Sequence, residues 1–311
     1  MTSLDPTPIW LSRYAKLVAA STLFLIFAGA MVTSTGSGLA VPDWPLSYGM
    51  LMPPMVGGIF YEHGHRMIAA TVGLLTVIQA IWLWRREPKR RVRILGYCAV
   101  GAVIAQGVLG GLTVIFLLPP AISVAHAGLA EIFFCLNVSI AVMTSRWWSS
   151  PSGAPAPSPA LAAALAIIVY AQILIGAVMR HLQAGLAIPD FPLSFGKIVP
   201  PFASMAVAVN YAHRVGALIV AIAVITVASR LLAARVLRTN AVLLIAVVIA
   251  QICLGAATVW SHKQPVITSA HVMAGAATLA LSLITALASR RLEVAPATRR
   301  AGPFVASEVP A

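Results

Sequence analysis

Apolar residues in this chain fall into blocks of roughly 20, the length a helix needs to cross the hydrocarbon core of a bilayer. Eight such blocks can be drawn, at 14–34, 64–84, 94–116, 121–144, 160–180, 208–229, 239–260 and 266–289. Most connections between them are short and polar, and two are long, 35–63 and 181–207. Lys and Arg crowd one set of ends: Arg13 and Lys16, the cluster from Arg85 to Arg93, Arg146, Arg230 to Arg238, and Arg290 onward. The opposite ends carry Arg66, Arg180, Lys197, Arg214 and Lys263. Positive charge in short loops marks the cytoplasmic side, so both termini are expected there and both long loops outside.

The pattern is written twice. Gly38-Leu39-Ala40-Val41-Pro42-Asp43-Trp44-Pro45-Leu46-Ser47-Tyr48-Gly49 returns as Gly185-Leu186-Ala187-Ile188-Pro189-Asp190-Phe191-Pro192-Leu193-Ser194-Phe195-Gly196, at an offset of 147. Behind each copy comes a His-Arg pair, His65-Arg66 and His213-Arg214, at an offset of 148. A Gln-x-x-x-Gly element, Gln106 to Gly110 and Gln251 to Gly255, and then a lone histidine, His126 and His271, follow at 145. Offsets that drift so little mean a tandem duplication. The expected fold is an all-α integral membrane protein of eight transmembrane helices, arranged as two tandem four-helix bundles. An even number of helices per half makes the repeats parallel, related by an axis along the membrane normal. The expected divisions are a first half at 1–149, a Pro/Ser/Ala linker at 150–159 on the cytoplasmic side, a second half at 160–292 and a cytoplasmic tail at 293–311.

Composition fixes the solvent. Of the 311 residues 60% are hydrophobic and 9% charged, more apolar surface than a soluble domain could bury. The net charge of +13 sits in loops rather than on a folded basic face, which argues against a nucleic-acid partner. The lipid bilayer of the cell (inner, plasma) membrane is the expected setting, with no cleavable signal peptide evident in the first apolar block.

Candidate chemistry lies in the duplicated histidines. His65 and His213 open the second and sixth blocks at the outer side. His126 and His271 each follow a proline by six residues, about 9 Å into a helix at 1.5 Å per residue. Ionisable groups are costly in lipid, so four in repeat register form a functional-site hypothesis. Two imidazoles from facing helices of a four-helix bundle are the usual axial pair for a haem, which predicts two haem sites, one per half, with the four histidines on iron. Zinc is the competing use, but it wants three or four ligands and each half offers two duplicated histidines. Cys98, Cys135 and Cys253 form no attachment motif for covalent haem.

Around these ligands the halves differ. Glu62 stands one helical turn before His65, whereas Asn210 holds that place before His213. A carboxylate beside one histidine pair marks the first half as the reactive centre; the competing reading is an interfacial Glu at a helix N-terminus. Arg66 and Arg214 would suit haem propionates or serve as interfacial anchors. Asp43 and Asp190 read as turn caps in a rigid loop, with a ligand-covering lid carrying Trp44 or Phe191 as the alternative. Glu131 faces Ala276 in the repeat and needs a partner or a water path. Gly110 and Gly255 are expected to permit close helix approach. His63, His181 and His262 have no repeat counterpart and are expected at the surface.

Thr35-Gly36-Ser37-Gly38-Leu39-Ala40, Glu62-x-x-His65-Arg66, Gln106-x-x-Leu109-Gly110-Gly111-Leu112-Thr113 with His126, and their second-half echoes resemble haem A synthase, a membrane enzyme of cytochrome oxidase assembly. The resemblance covers roughly residues 12 to 290. It implies an oxidoreductase that converts the C8 methyl of haem O to a formyl group, giving haem A. It also implies that Glu62, His65 and His126 serve the substrate haem while His213 and His271 hold a haem b that relays electrons. Haem O synthase and oxidase assembly factors would be its partners. Many relatives carry a cysteine pair in the first outer loop, and this chain has none there. A dihaem b-type, quinol-linked electron carrier would use the same four ligands without modifying haem, and a transporter is the other class a tandem repeat suggests.

Overall fold

The computed structural model of the chain describes residues 7–149 and 158–294. The expected linker at 150–159 and tail at 293–311 fall almost wholly outside them. Eight helices of membrane-spanning length and apolarity are present among the described residues, at the eight predicted places. They are α1 (Ile9–Ser34), α2 (Gly58–Arg86), α3 (Arg90–Ile115), α4 (Pro120–Met143), α6 (Pro159–His181), α7 (Met205–Ala233), α8 (Arg238–Trp260) and α9 (Pro265–Val294), with a short α5 (Arg146–Ser149) after α4. Helices α4, α6 and α9 begin on proline, where the missing N–H would have no intrahelical acceptor. Helix α7 is capped by Ser204, whose hydroxyl accepts the N–H of Val207 at 3.3 Å.

Helices α1 to α4 pack in chain order and close as a ring, α4 returning to α1. Helices α6 to α9 do the same, α9 returning to α6. A seam joins the two rings: α4 packs on α6, α1 on α9, and α4 on α9. Its apolar centre is Phe134, Val138, Ala276 and Ala280, backed by Leu23 and Ile26 of α1. At the end that bears the two long loops the Arg180 guanidinium reaches across to the Ala30 carbonyl at 2.6 Å and the Ser34 hydroxyl at 2.7 Å, and Ser34 meets Ser269 at 3.0 Å.

The two rings are glued differently. In the first, the Gln79 amide donates to Asn137 at 3.0 Å, and Asn137 donates to Thr22 at 3.4 Å, tying α1, α2 and α4 by side-chain hydrogen bonds. In the second, the repeat partners of Thr22 and Gln79 are Val169 and Val227, both in an apolar cluster with Leu165, Val224 and Leu244.

Candidate functional site

Each duplicated histidine comes from the part of its helix nearest the long-loop end and lays the Cε1 edge of its ring against a glycine of the neighbouring helix. A Cβ placed on Gly29 (α1) would stand 2.9 Å from the His65 ring, and one on Gly110 (α3) would stand 3.4 Å from His126. In the second half the corresponding distances are 2.9 Å for Gly176 (α6) on His213 and 3.0 Å for Gly255 (α8) on His271. The glycines of the Gln-x-x-x-Gly elements therefore make room for a ring. Gly29 and Gly176 carry the same function outside any motif singled out from the sequence, although their separation of 147 is the repeat offset.

The rings of His213 and His271 face each other with centroids 6.3 Å apart and planes at 75°. Two imidazoles on opposite sides of one metal atom, each bonded at about 2 Å, bring their centroids to roughly 6 Å. His126 lies within electrostatic reach of His65 in the first half. The His213–His271 separation thus fits a haem iron held between facing helices. Gln106 donates to the His126 carbonyl at 2.9 Å, and Gln251 approaches the His271 ring at 3.5 Å.

Glu62 is buried, and both its oxygens are engaged. Oε2 accepts the Val41 N–H at 2.8 Å and Oε1 accepts from Arg66 at 2.7 Å. Arg66 also donates to the carbonyls of Asp43 at 2.8 Å and Leu46 at 2.9 Å. Arg214 makes the parallel set, to Ile188 at 3.0 Å, Leu193 at 2.8 Å and Asn210 at 3.0 Å. Asn210 in turn donates to the Ala184 and Gly185 carbonyls. The His-Arg arginines thus fasten the two long loops, and the fully buried Val41 and Ile188 are the plugs they hold down. Glu62 and Asn210 do equivalent work on opposite polarities of backbone, one accepting an N–H and the other donating to carbonyls.

The loop tips are tight turns. Tyr48-Gly49 and Phe195-Gly196 have positive φ, between Ser47 and Met50 and between Ser194 and Lys197. Positive φ at both central positions is the geometry that glycine and polar hairpin residues favour. Asp43 accepts the N–H groups of Tyr48 at 2.6 Å and Gly49 at 2.8 Å, and Asp190 repeats this with Phe195 and Gly196. Those backbone hydrogen bonds hold both carboxyls below the ordinary carboxylate pKa. Both carboxylate oxygens of each aspartate are thus engaged in capping its turn.

Trp44 lies on Gly111, where a Cβ would meet its indole at 2.7 Å, whereas the matching residues in the second half are Phe191 and Ala256. Phe191 packs edge-on against Trp260 at 6.1 Å. The larger aromatic sits on the smaller helix residue. Gly111→Ala is expected to displace Trp44 and destabilise the first loop by about 1–3 kcal/mol, with Trp44→Phe restoring it; limited proteolysis of the outer loop would read both.

Three histidines expected at the surface divide. His63 is buried, with Nδ1 2.8 Å from the Ser47 hydroxyl, a correction to that expectation. Polar loop residues gave no warning, because its partner lies 16 residues upstream. His181 is half-buried at the seam and lies within electrostatic reach of His126. His262 is exposed. Glu131 is buried on α4, the helix that packs on both α6 and α9, and its Oε2 has no hydrogen-bond partner.

The family model for cytochrome oxidase assembly proteins matches residues 56–284. The heme A synthase of Shouchella clausii is 31% identical over 268 residues, covering 81% of this chain and 88% of that protein. That of Alkalihalophilus pseudofirmus is 31% identical over 264 residues, with the same coverage. That of Geobacillus kaustophilus is 27% identical over 308 residues, covering 94% of this chain and 96% of its own length. A duplicated fold with two facing histidine pairs thus meets a match that spans nearly the whole molecule, and the chain belongs to the heme A synthase family of cytochrome oxidase assembly proteins.

Proposed function

We propose that this protein oxidises the C8 methyl of haem O to the formyl group of haem A, working in the cell membrane with both termini in the cytoplasm. The observation that carries the reading is the pair of facing histidine sets, each ring bedded on a glycine, in a member of this family. His65 and His126 hold the substrate haem O in the first half. His213 and His271 hold a haem b in the second half, which when bound supplies electron transfer.

The chain's own residues orient the substrate and exclude water. Glu62 and Arg66 hold the buried Val41 down, and we assign to it the covering of the first pair. Taking a methyl to an aldehyde removes four electrons: two successive hydroxylations and loss of water do this with an oxidant from outside the chain, and the hydrogens lost from carbon must be carried away. Glu62, one turn from His65, is the candidate acceptor, and it can take a proton only by relaxing its hold on Arg66 or Val41. Arg66 and Arg214 fasten the loops and, standing beside the ligands, are the residues we assign to the haem propionates. Haem O synthase and oxidase assembly factors are the partners this role requires.

The deciding experiment is haem extraction and chromatography with mass detection on the purified protein, from a host that supplies haem O and makes no haem A of its own. Haem A or its hydroxylated precursor beside haem b is the expected result. Haem b alone, with haem O supply verified, would mean an electron carrier instead, and a colourless protein would remove the histidines from the argument altogether.

A further inference from the structure

The four histidines differ in what holds their Nδ1 atoms. An imidazole that binds a metal through one nitrogen carries its proton on the other, and the group accepting that N–H fixes the ring and raises its basicity. In the second half both Nδ1 atoms have such neighbours: His271 Nδ1 lies 3.1 Å from the Gln251 carbonyl, and His213 Nδ1 lies 3.0 Å from the Gln172 amide. In the first half His65 Nδ1 is buried with no hydrogen-bond partner among the described residues, whereas His126 lies against the Gln106 backbone much as His271 lies against that of Gln251.

The cause for His213 is legible residue by residue. Gln172 sits one turn before Gly176 on α6, and its repeat partner before Gly29 on α1 is Leu25. The amide fits because residue 216 on α7 is glycine; a Cβ there would fall on Gln172 Oε1 and within 3.0 Å of its Cδ. The repeat partner of Gly216 is Ile68. Two positions on two helices have therefore changed together, Gln172 with Gly216 in one half and Leu25 with Ile68 in the other.

We infer that Gln172, seated over Gly216, is a positioning residue that locks His213 as a lasting axial ligand, while the first half lacks this brace and is built to let its haem go. The inference rests on the reading of the histidines as haem ligands. The NH2 end of the amide faces both His213 Nδ1 and, at 2.7 Å, the His213 carbonyl, and its Oε1 has no partner. Carboxamide ends are assigned from such networks rather than seen. With His213 ligating through Nε2, exchanging the two ends lets Oε1 accept the Nδ1 proton. The His213 carbonyl lies in the body of α7, where the helix itself supplies an N–H. A substrate haem must enter and a product must leave, whereas an electron relay must stay, and the bracing follows that division.

The test is haem loss from the full-length protein to excess apomyoglobin, followed by absorbance, together with a redox titration of the haem that remains. Wild type should lose haem in a fast and a slow phase. Gln172→Leu should speed the slow phase about 10- to 100-fold and raise the midpoint potential of the retained haem. Gly216→Ala, which leaves His213 and Gln172 in place, should do the same. Gln172→Glu, a stronger acceptor, should restore slow loss and lower the potential. The pair Leu25→Gln with Ile68→Gly should slow the fast phase. An unchanged slow phase and potential in both Gln172→Leu and Gly216→Ala would overturn the inference while leaving the haem sites standing. Should Gln172→Leu not fold, Gly216→Ala and the Leu25/Ile68 pair decide on the same readouts. A wild-type protein that binds no haem would overturn the haem reading itself, and this inference with it.

Discussion

Alanine at His213 or His271 is expected to strip the retained haem from the purified protein, so that nearly all of its slow-exchanging Soret absorbance disappears. Each ring lies against a glycine of the next helix, and alanine leaves no imidazole nitrogen there to bind iron. Alanine at His65 or His126 should instead end haem A formation while leaving the second-half haem and its spectrum in place. Extracted haem counted per polypeptide, alongside the absorbance spectrum, separates the two results. Loss of all haem from the first-half variants would show that the sites do not fill independently.

Glu62→Gln is expected to lower conversion by about 10²- to 10⁴-fold, the usual contribution of a positioned proton acceptor, with haem content unchanged. Glutamine keeps an acceptor for the Val41 N–H and loses the charge opposite Arg66. Arg66 still holds the Asp43 and Leu46 carbonyls, so the loop should stay down. Glu62→Ala removes both contacts and should cost up to about 3 kcal/mol, at the low end for breaking a buried pair because the Arg66 side chain is 17% exposed. Thermal stability in detergent and haem A yield, measured on both variants, distinguish the roles. A normal yield from Glu62→Gln would leave Glu62 with loop fastening alone.

Helix positions were legible because lipid imposes a simple rule on side chains, and no predicted block was missing or spurious. The structure extends several of them, 64–84 becoming Gly58–Arg86 and 208–229 becoming Met205–Ala233. Apolar runs mark where lipid ends, while the helical hydrogen bonds continue into the polar margins, carrying Glu62 and Asn210 to the loops. The histidines were legible because duplication made them visible twice. Gln172 was not, because its meaning is a difference between halves: the repeat alignment shows a polar residue opposite Leu25, but only the packing shows the Gly216 gap that receives its amide. The arginine contacts were not legible for a related reason: the loop carbonyls that meet the two guanidiniums are brought to them by a tight turn.

The seam between the rings has a further meaning. The contact of α1 with α9 answers that of α6 with α4, and α4 meets its own counterpart α9. This is the form of an isologous interface, the kind two identical four-helix chains would share about a two-fold axis. A homodimer built that way would be bound to carry the same residue at both sites, so a glutamine brace in one would be a glutamine brace in the other. Joining the copies in one polypeptide removes that constraint. Leu25 and Gln172, Glu62 and Asn210, Glu131 and Ala276 could then diverge separately, and a symmetric shell came to enclose two unlike interiors.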